Sequence, residues 1–353
     1  MSPMYLLSQL LMNSEIIKIV AGGGKTTESS KILRQEKNGL YIAFNNEVVN
    51  EMQLKGFVSK TIDSLFSSYI LPKMTALIPL VKTGAKLCFI DSSILPSPLK
   101  GISNLHIDKE GNILNKNKKT NFSLDMDNKT LHSLKNQPNL NFLKHVFGKE
   151  ELRLTHSLRS EFILYVLHKY PDEIINLLAK RFSYIIFDET QDVKKHLEQF
   201  AILIYNSKIT SYYLGDCNQN INGGGTWFDN IQPTKLLNHS FRCPETNCKW
   251  IRENLNIDII GNETVSCFSS IQIEDAINYD DGLRILLYDG ARGKDIKELI
   301  HQWSGEKYTI KAAKGKTLSE DIVIIGKSLN KKSYYTAITR TTKNVFTTIS
   351  KVT

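Results

Sequence analysis

Short apolar runs alternate with longer mixed segments along this chain, and the runs carry the β-branched and aromatic residues of buried strands. Glu15 to Val20 (EIIKIV) and Leu40 to Phe44 (LYIAF) are the first two, each leading into a stretch with helical spacing, the second through Met52. Val58 to Phe66 passes from a short strand into a helix. Glu161 to Leu178 reads as an amphipathic helix and Tyr184 to Phe187 as a strand without a polar position. Tyr212 to Gly215, Leu283 to Leu287 and Asp321 to Ile325 are further strands, and Pro244 is placed to start a helix. Tyr334 to Arg340 suggests a helix carrying one arginine. Strands that alternate with helices predict an α/β protein with parallel sheets.

From Ser67 to Glu150 the pattern changes. Tyr69 to Ile90 is apolar, His106 to Leu114 has hairpin character around Glu110-Gly111-Asn112, and Asp108 to Lys129 is rich in Lys and Asn, including Lys116-Asn117-Lys118-Lys119. Two readings stand: an inserted domain offering basic residues to a phosphate backbone, or a solvated loop region.

Composition narrows the class. With 353 residues, 41% hydrophobic and 23% charged, the chain has room for two or three ordinary globular domains. No apolar run approaches bilayer length, and Met1 to Leu11 lacks a basic leader, so neither a membrane span nor a signal peptide is expected. The five cysteines (Cys88, Cys217, Cys243, Cys248, Cys267) are scattered and form no zinc pattern, which points to a reducing, intracellular compartment. A net charge of +9 is compatible with a polyanion partner without establishing one.

Three segments carry candidate chemistry. Tyr184-Ile185-Ile186-Phe187 runs into Asp188-Glu189-Thr190-Gln191-Asp192. A buried parallel strand would deliver those acids into the crevice where open α/β sheets bind ligands; the plainer alternative is a core strand ending in a charged surface turn. Ala21-Gly22-Gly23-Gly24-Lys25-Thr26-Thr27 lies between a strand and a helix, the setting of a phosphate-binding loop. Lys25 would reach β- and γ-phosphates and Thr26 would bind Mg²⁺. The strict motif has glycine where this chain has Ile19, and a flexible glycine turn is the alternative. Gln219, beyond the run Tyr212-Tyr213-Leu214-Gly215-Asp216, is placed to sense a γ-phosphate.

The order of these segments resembles superfamily 1 helicases, most nearly the UvrD/Rep-like group, in a compact form with viral affinities. Ala21 to Thr27 looks like Walker A, and Ala43 to Glu47 with Glu51-Met52 is similar to TFTNKAA…EM. Thr61 to Leu65 matches TFHSL with Asp63 for His, and Asp188 to Asp192 is close to the DE-x-QD form of Walker B. Gly215 to Ile221 matches GDxxQSI, and Ser240-Phe241-Arg242 corresponds to NYR. Thr309 to Gly315 with Asp321-Ile322-Val323 resembles T-x-H-x-x-KG, and Tyr335 to Arg340 is near YVALTR. Three features depart from the group: Gln9 is too close to Lys25 for the adenine-reading position, Asn222-Gly223-Gly224-Gly225 replaces YxWRG, and Lys316-Thr317 replaces Leu-Glu.

The resemblance implies two RecA-like P-loop NTPase domains with parallel sheets. Residues 1–66 and 150–235 would form the first, 67–149 an inserted subdomain, and 236–353 the second. It implies ATP and Mg²⁺ as cofactors, with Ala21, Gly22, Gly23, Gly24, Lys25, Thr26 and Thr27 on the nucleotide and Thr26 and Asp188 on the metal. Glu189 would be the base, Gln219 the γ-phosphate sensor, and Arg242 and Arg340 the arginine fingers, with Lys25 on phosphate. Phe44, Asn45, Thr61 and Thr309 would contact single-stranded DNA, or alternatively RNA, and Trp227 is either a further stacking platform or a core residue. Replication or repair partners and a cytoplasmic or nuclear location (in a host cell if viral) complete the expectation. The competing readings are an accessory NTPase subunit and a small-substrate P-loop kinase; Arg340 in its YxAxTR context and the DE-x-QD strand count against the kinase.

Overall fold

The computed structural model describes residues 13–35, 37–44, 46–81, 83–89, 104–115, 118–126, 146–147, 151–290 and 293–353. Met1 to Leu11 with Gln9, Asn45, Lys116-Asn117 and much of the expected insertion at 67–149 lie outside them. In chain order the elements used below are β1 (Ser14–Ile19), α1 (Lys25–Gln35), β2 (Gly39–Ala43), α2 (Asn46–Leu54), β3 (Ser59–Thr61) and α3 (Ile62–Leu65). A three-stranded antiparallel sheet follows, of β4 (Leu105–Ile107), β5 (Asn112–Asn115) and β6 (Lys118–Ser123). Next come α4 (His156–Lys169), α5 (Pro171–Ala179), β7 (Tyr184–Phe187), α6 (His196–Tyr205) and β8 (Thr210–Gly215). The remainder includes β9 (Lys235–Leu237), β10 (His239–Pro244), α7 (Glu245–Leu255), β11 (Phe268–Ser270) and β12 (Ile285–Tyr288). Last are α8 (Lys294–Gln302), β13 (Lys307–Thr309), α9 (Ile310–Ala313), β14 (Ile322–Ile325), α10 (Lys331–Ile338) and β15 (Val345–Thr347).

The fold is mixed α/β with parallel sheets, and its contacts divide it into two compact units. The first holds residues 36–187 and 193–212; the second holds 15–35, 188–192 and 213–353. In the first unit β2 lies between β3 and β7, all parallel, with Tyr41 opposite Ser59 on one side and Ile186 on the other. Leu40 to Ala43 and Tyr184 to Phe187 are buried throughout, which is why those runs have no polar position. The hairpin expected near residue 110 is present: Gly111 takes φ +82°, and Tyr165 packs where a Cβ would project.

The single amphipathic helix expected over 161–178 is instead two helices. Tyr170 leaves helical geometry and Pro171, which has no N–H to donate and a ring that obstructs the preceding turn, opens α5. Phe162, Ile163, Tyr165 and Val166 are all fully buried, so α4 is enclosed rather than amphipathic.

The second unit is built on a five-stranded parallel sheet in the order β11-β15-β14-β12-β13. The chain leaves β12 through α8 to β13 on one side and leaves β14 through α10 to β15 on the other. The same unit contains β1 paired in parallel with β9, Ile17 opposite Lys235. Among the described residues no helix is long and apolar enough to cross a membrane.

Candidate functional site

Every residue of the candidate nucleotide site belongs to the second unit. The buried strand β1 ends in a turn that favours glycine: Gly22 and Gly24 take φ +70° and +85°. A Cβ on Gly22 would sit 2.6 Å from Cβ of Arg242, and one on Gly23 would sit 2.7 Å from Cγ2 of Ile19. Ile19, the departure from the strict glycine pattern, is a core residue of the strand. The Gly23 N–H donates to the Val20 carbonyl (2.9 Å) and the Glu28 N–H to the Gly24 carbonyl (2.9 Å), which starts α1. Lys25 opens that helix, with Thr26 and Thr27 exposed on its first turn. The loop is held from outside as well: the Ser240 hydroxyl donates to the Ala21 carbonyl (2.7 Å) and the Phe241 N–H to the Gly22 carbonyl (3.0 Å).

The acidic turn after β7 faces this lysine. Lys25 Nζ lies 3.3 Å from Glu189 Oε1. Burial pulls the Lys25 ammonium down, but Glu189, Asp188 and Asp216 outweigh it and leave the group above its ordinary range. Burial pushes Glu189 up, yet Lys25 and a hydrogen bond from Gln191 hold its carboxyl below the usual value. Among the described residues Glu189 is one of four non-glycine residues with positive φ, at +50°. Its N–H donates to Asp188 Oδ1 at 2.8 Å. The Gln191 amide nitrogen donates to Glu189 Oε2, while Gln191 Oε1 accepts the Asp216 N–H at 3.1 Å. One glutamine therefore ties the acidic turn to the end of β8.

Asp216 is the hub of the next layer. It accepts from the Asn218 N–H (3.0 Å), the Gln219 amide (2.9 Å) and the Tyr335 hydroxyl (2.9 Å). Burial raises its pKa against the pull of Lys25. The Tyr335 hydroxyl also accepts the Ala21 N–H at 3.0 Å, so it joins the glycine loop to Asp216. Arg340 is 2% exposed; its Nη2 donates to Gln219 Oε1 at 3.0 Å and its Nε to the Thr336 carbonyl at 3.1 Å. Burial, followed by the neighbouring Arg242, pulls Arg340 down to about 10. Arg242 donates to the Thr339 carbonyl at 3.4 Å, and burial lowers it too.

Lys25, Asp188, Glu189, Gln219, Arg242 and Arg340 thus lie within one unit, connected by direct contacts or by the charges they exert on one another. Sequence reasoning missed three residues that wire them together. Gln191, Asp216 and Tyr335 all stood inside quoted motifs without a role. Free thiols account for Cys217, Cys243, Cys248 and Cys267.

The residues expected on nucleic acid are partly placed. Phe44 is 41% exposed at the end of β2, and Asn45 lies outside the described residues. Thr61 and Thr309 both cap short helices: Thr61 Oγ1 accepts the Ser64 N–H and Thr309 Oγ1 the Ala312 N–H, each at 3.1 Å. Each hydroxyl keeps its own proton to donate. Trp227 is half-buried, edge-on to Tyr213 at 5.3 Å, and serves packing.

Among the described residues no group of three or more His, Cys, Asp or Glu side chains forms a metal cage. A Mg²⁺ ion carried by a nucleotide needs less, one or two carboxylates besides phosphate and water oxygens. Buried Asp188 and the exposed Thr26 hydroxyl are hard oxygen donors of that kind, so the residues present fit the ion.

No protein-family model matches the chain, and no curated protein matches it. Among solved structures it is similar to the helicase of PRRSV, at 15% identity and TM-score 0.45, covering 98% of this chain and 54% of the other. It is also similar to arterivirus nonstructural protein 10, a helicase, at 11% identity and TM-score 0.45, covering 95% and 59%. The same arterivirus helicase in complex with DNA matches at 11% identity and TM-score 0.44, covering 95% and 60%. The chain spans a little over half the length of these proteins.

Proposed function

We propose that this chain is a nucleic-acid-dependent ATP hydrolase of the superfamily 1 type, working as a translocase or helicase on a single strand, with DNA the expected strand. The supporting observation is the Lys25–Glu189 pair, flanked by Asp188 and Asp216 and joined through Gln191, Asp216 and Gln219 to Arg340. In this reading the 21–27 backbone and Lys25 bind the phosphates, and Lys25 exchanges its contact with Glu189 for phosphate oxygens. That exchange leaves the Glu189 carboxylate free to take a proton from the attacking water, giving ADP and phosphate. Thr26 and Asp188 would hold Mg²⁺, which neutralises phosphate charge when bound. Gln219 senses the γ-phosphate, and Arg340 and Arg242 stabilise charge on the transferred group, a contribution of about 10³–10⁵ in rate where arginine fingers have been measured.

On the nucleic-acid side Phe44 stacks a base, while Thr61 and Thr309 donate their hydroxyl protons to phosphates. Exposed Lys311 and Lys316 near Thr309 suit the same polyanion. The motif order favours the UvrD/Rep-like group, with 1–66 and 150–235 as one RecA-like lobe, 236–353 as the other and 67–149 as an insertion.

The test is ATP hydrolysis with and without single-stranded DNA or RNA. Wild-type turnover should rise with the strand, and Glu189→Gln should retain nucleotide binding while losing about 10²–10⁴-fold in turnover. Loss of binding in that variant would remove Glu189 as the base, and hydrolysis indifferent to both strands would remove the motor.

A further inference from the structure

Among the described residues of the second unit, Lys314 has all three of its donors engaged. Lys314 Nζ lies 2.6 and 2.7 Å from Oδ1 and Oδ2 of Asp192 and 2.6 Å from the carbonyl oxygen of Gln219. An ammonium has three N–H bonds, so this geometry uses its capacity completely. The pair is enclosed, with side-chain exposures of 11% for Lys314 and 5% for Asp192.

What each end is attached to gives the contact its meaning. Asp192 closes the acidic turn, its N–H donating to the Glu189 carbonyl at 2.9 Å, and its neighbour Gln191 holds the Glu189 carboxylate. Gln219 is the expected γ-phosphate sensor, with its side chain held between Asp216 and Arg340. Lys314 itself ends the one-turn helix α9 that Thr309 caps, its N–H donating to the Ile310 carbonyl at 3.2 Å. Ile310 and Ala313 are buried beneath that turn. Thr309 and Lys314 are therefore the two ends of one small rigid piece, anchored by its apolar underside. Displacing Thr309 by a bound phosphate would move the ammonium, and with it the Asp192 carboxylate and the Gln219 backbone.

We propose that Lys314 is a positioning residue, transmitting occupancy of the Thr309 turn to Glu189 and Gln219 through Asp192 and the Gln219 carbonyl. This rests on the function proposed above. A chain of packed and hydrogen-bonded groups is a physical route for such coupling. Coupling between sites is reciprocal in binding, so nucleotide must change strand affinity by the same factor that strand changes nucleotide affinity.

The experiment uses the full chain as wild type, Lys314→Met, Lys314→Arg and Asp192→Asn. It measures four quantities: basal hydrolysis, hydrolysis with saturating oligo-dT, oligo-dT affinity, and the shift of that affinity on adding a non-hydrolysable ATP analogue. Lys314→Met keeps the apolar stem and should hold basal turnover and strand affinity close to wild type. It should lose strand stimulation and the nucleotide-dependent affinity shift by about tenfold, within the usual range for coupled sites. Asp192→Asn should lose both readouts similarly, and Lys314→Arg should restore part of them. A purely structural role would lower all four quantities together and would overturn the proposal. So would full stimulation in Lys314→Met, or an affinity loss that accounts for the missing stimulation, which would make Lys314 a direct strand contact. If wild type hydrolyses ATP without responding to oligo-dT or oligo-U, the functional reading fails first and the proposal falls with it, a result distinct from a wild-type response that Lys314→Met preserves.

Discussion

Thr61 and Thr309 stand at the same place in two similar pieces of chain. Each ends a short parallel strand and caps a four-residue helix, with φ, ψ of −76°, 157° and −67°, 149° and a 3.1 Å bond from the N–H three residues on. Each also has an aromatic residue at the end of the neighbouring strand. Ala43 pairs with Thr61 and precedes Phe44, while Tyr288 pairs with Thr309. Local chemistry is the same because any strand entering a helix must satisfy the first free N–H groups, and threonine does so from extended geometry.

The surroundings differ. Phe44 projects into solvent, whereas Tyr288 packs on the cluster of Leu286, Val323 and Ile325. In the first unit Asp63, two residues after the cap, opens a largely buried relay: it pairs with Arg159 Nη2 at 2.7 Å and His196 Nε2 at 3.0 Å, and buried His196 shares a 2.7 Å hydrogen bond through Nδ1 with buried Ser160. Around the other cap the chain leads inward, through Lys314, to the buried acids. Identical caps can thus end on one hydrogen-bonded network in the first unit and on the buried acids of the candidate site in the second.

The most severe way to separate the two regions is Lys25→Ala. It should abolish turnover, because no other cation among the described residues pairs with Glu189 in that layer, while oligo-dT affinity through Phe44 and Thr61 persists. Equal loss of strand affinity would mean that the two regions are not independent. Next, Phe44→Ala should weaken strand binding by about 1–3 kcal/mol, the contribution of a base–aromatic stack, with basal hydrolysis intact; Tyr288→Ala, already committed to packing, should act on stability instead. An affinity unchanged in Phe44→Ala removes the stacking role.

Acid sharpens the contrast by sign. Burial pushes Asp63 up, but His196 and Arg159 outweigh it, so its folded pKa lies below 3.8. Its contribution to stability is complete above the unfolded value and is lost as pH falls through the folded one. Asp192 is shifted the other way, burial exceeding the pull of Lys314, so its effect on stability declines as pH rises from 3.8 through its raised value. Asp63→Asn should flatten the acid limb of the unfolding curve, and Asp192→Asn should steepen it; the same change in both would break the distinction. The smallest effect is the cap itself. Thr61→Ala and Thr309→Ala should each lose about 1 kcal/mol in denaturant melts. If the caps are equal in kind, the two losses agree, while at saturating oligo-dT only Thr309→Ala lowers strand-stimulated turnover.

Much of this was legible along the chain. Runs 40–43, 184–187 and 322–325 appear as strands buried on both faces, which admit no polar side chain, and 15–19 as a strand that keeps Glu15 exposed and Lys18 half-buried. The glycine turn was legible because its positive φ values favour glycine and a Cβ at Gly22 or Gly23 would clash. Apolar periodicity over 161–178 does not reveal the break at Pro171, a single residue whose missing N–H ends the pattern.

The order of motifs, the strand ends that bear Lys25, Asp188 and Asp216, and the caps at Thr61 and Thr309 follow from local rules of backbone geometry and burial, which neighbouring residues suffice to state. What packed structure alone decided are the contacts across long stretches of sequence: Tyr335 on Ala21 and Asp216, Arg340 on Gln219, Lys314 on Asp192. A buried donor must find an acceptor, but which acceptor it finds depends on how separate segments pack, and spacing along the chain does not encode that.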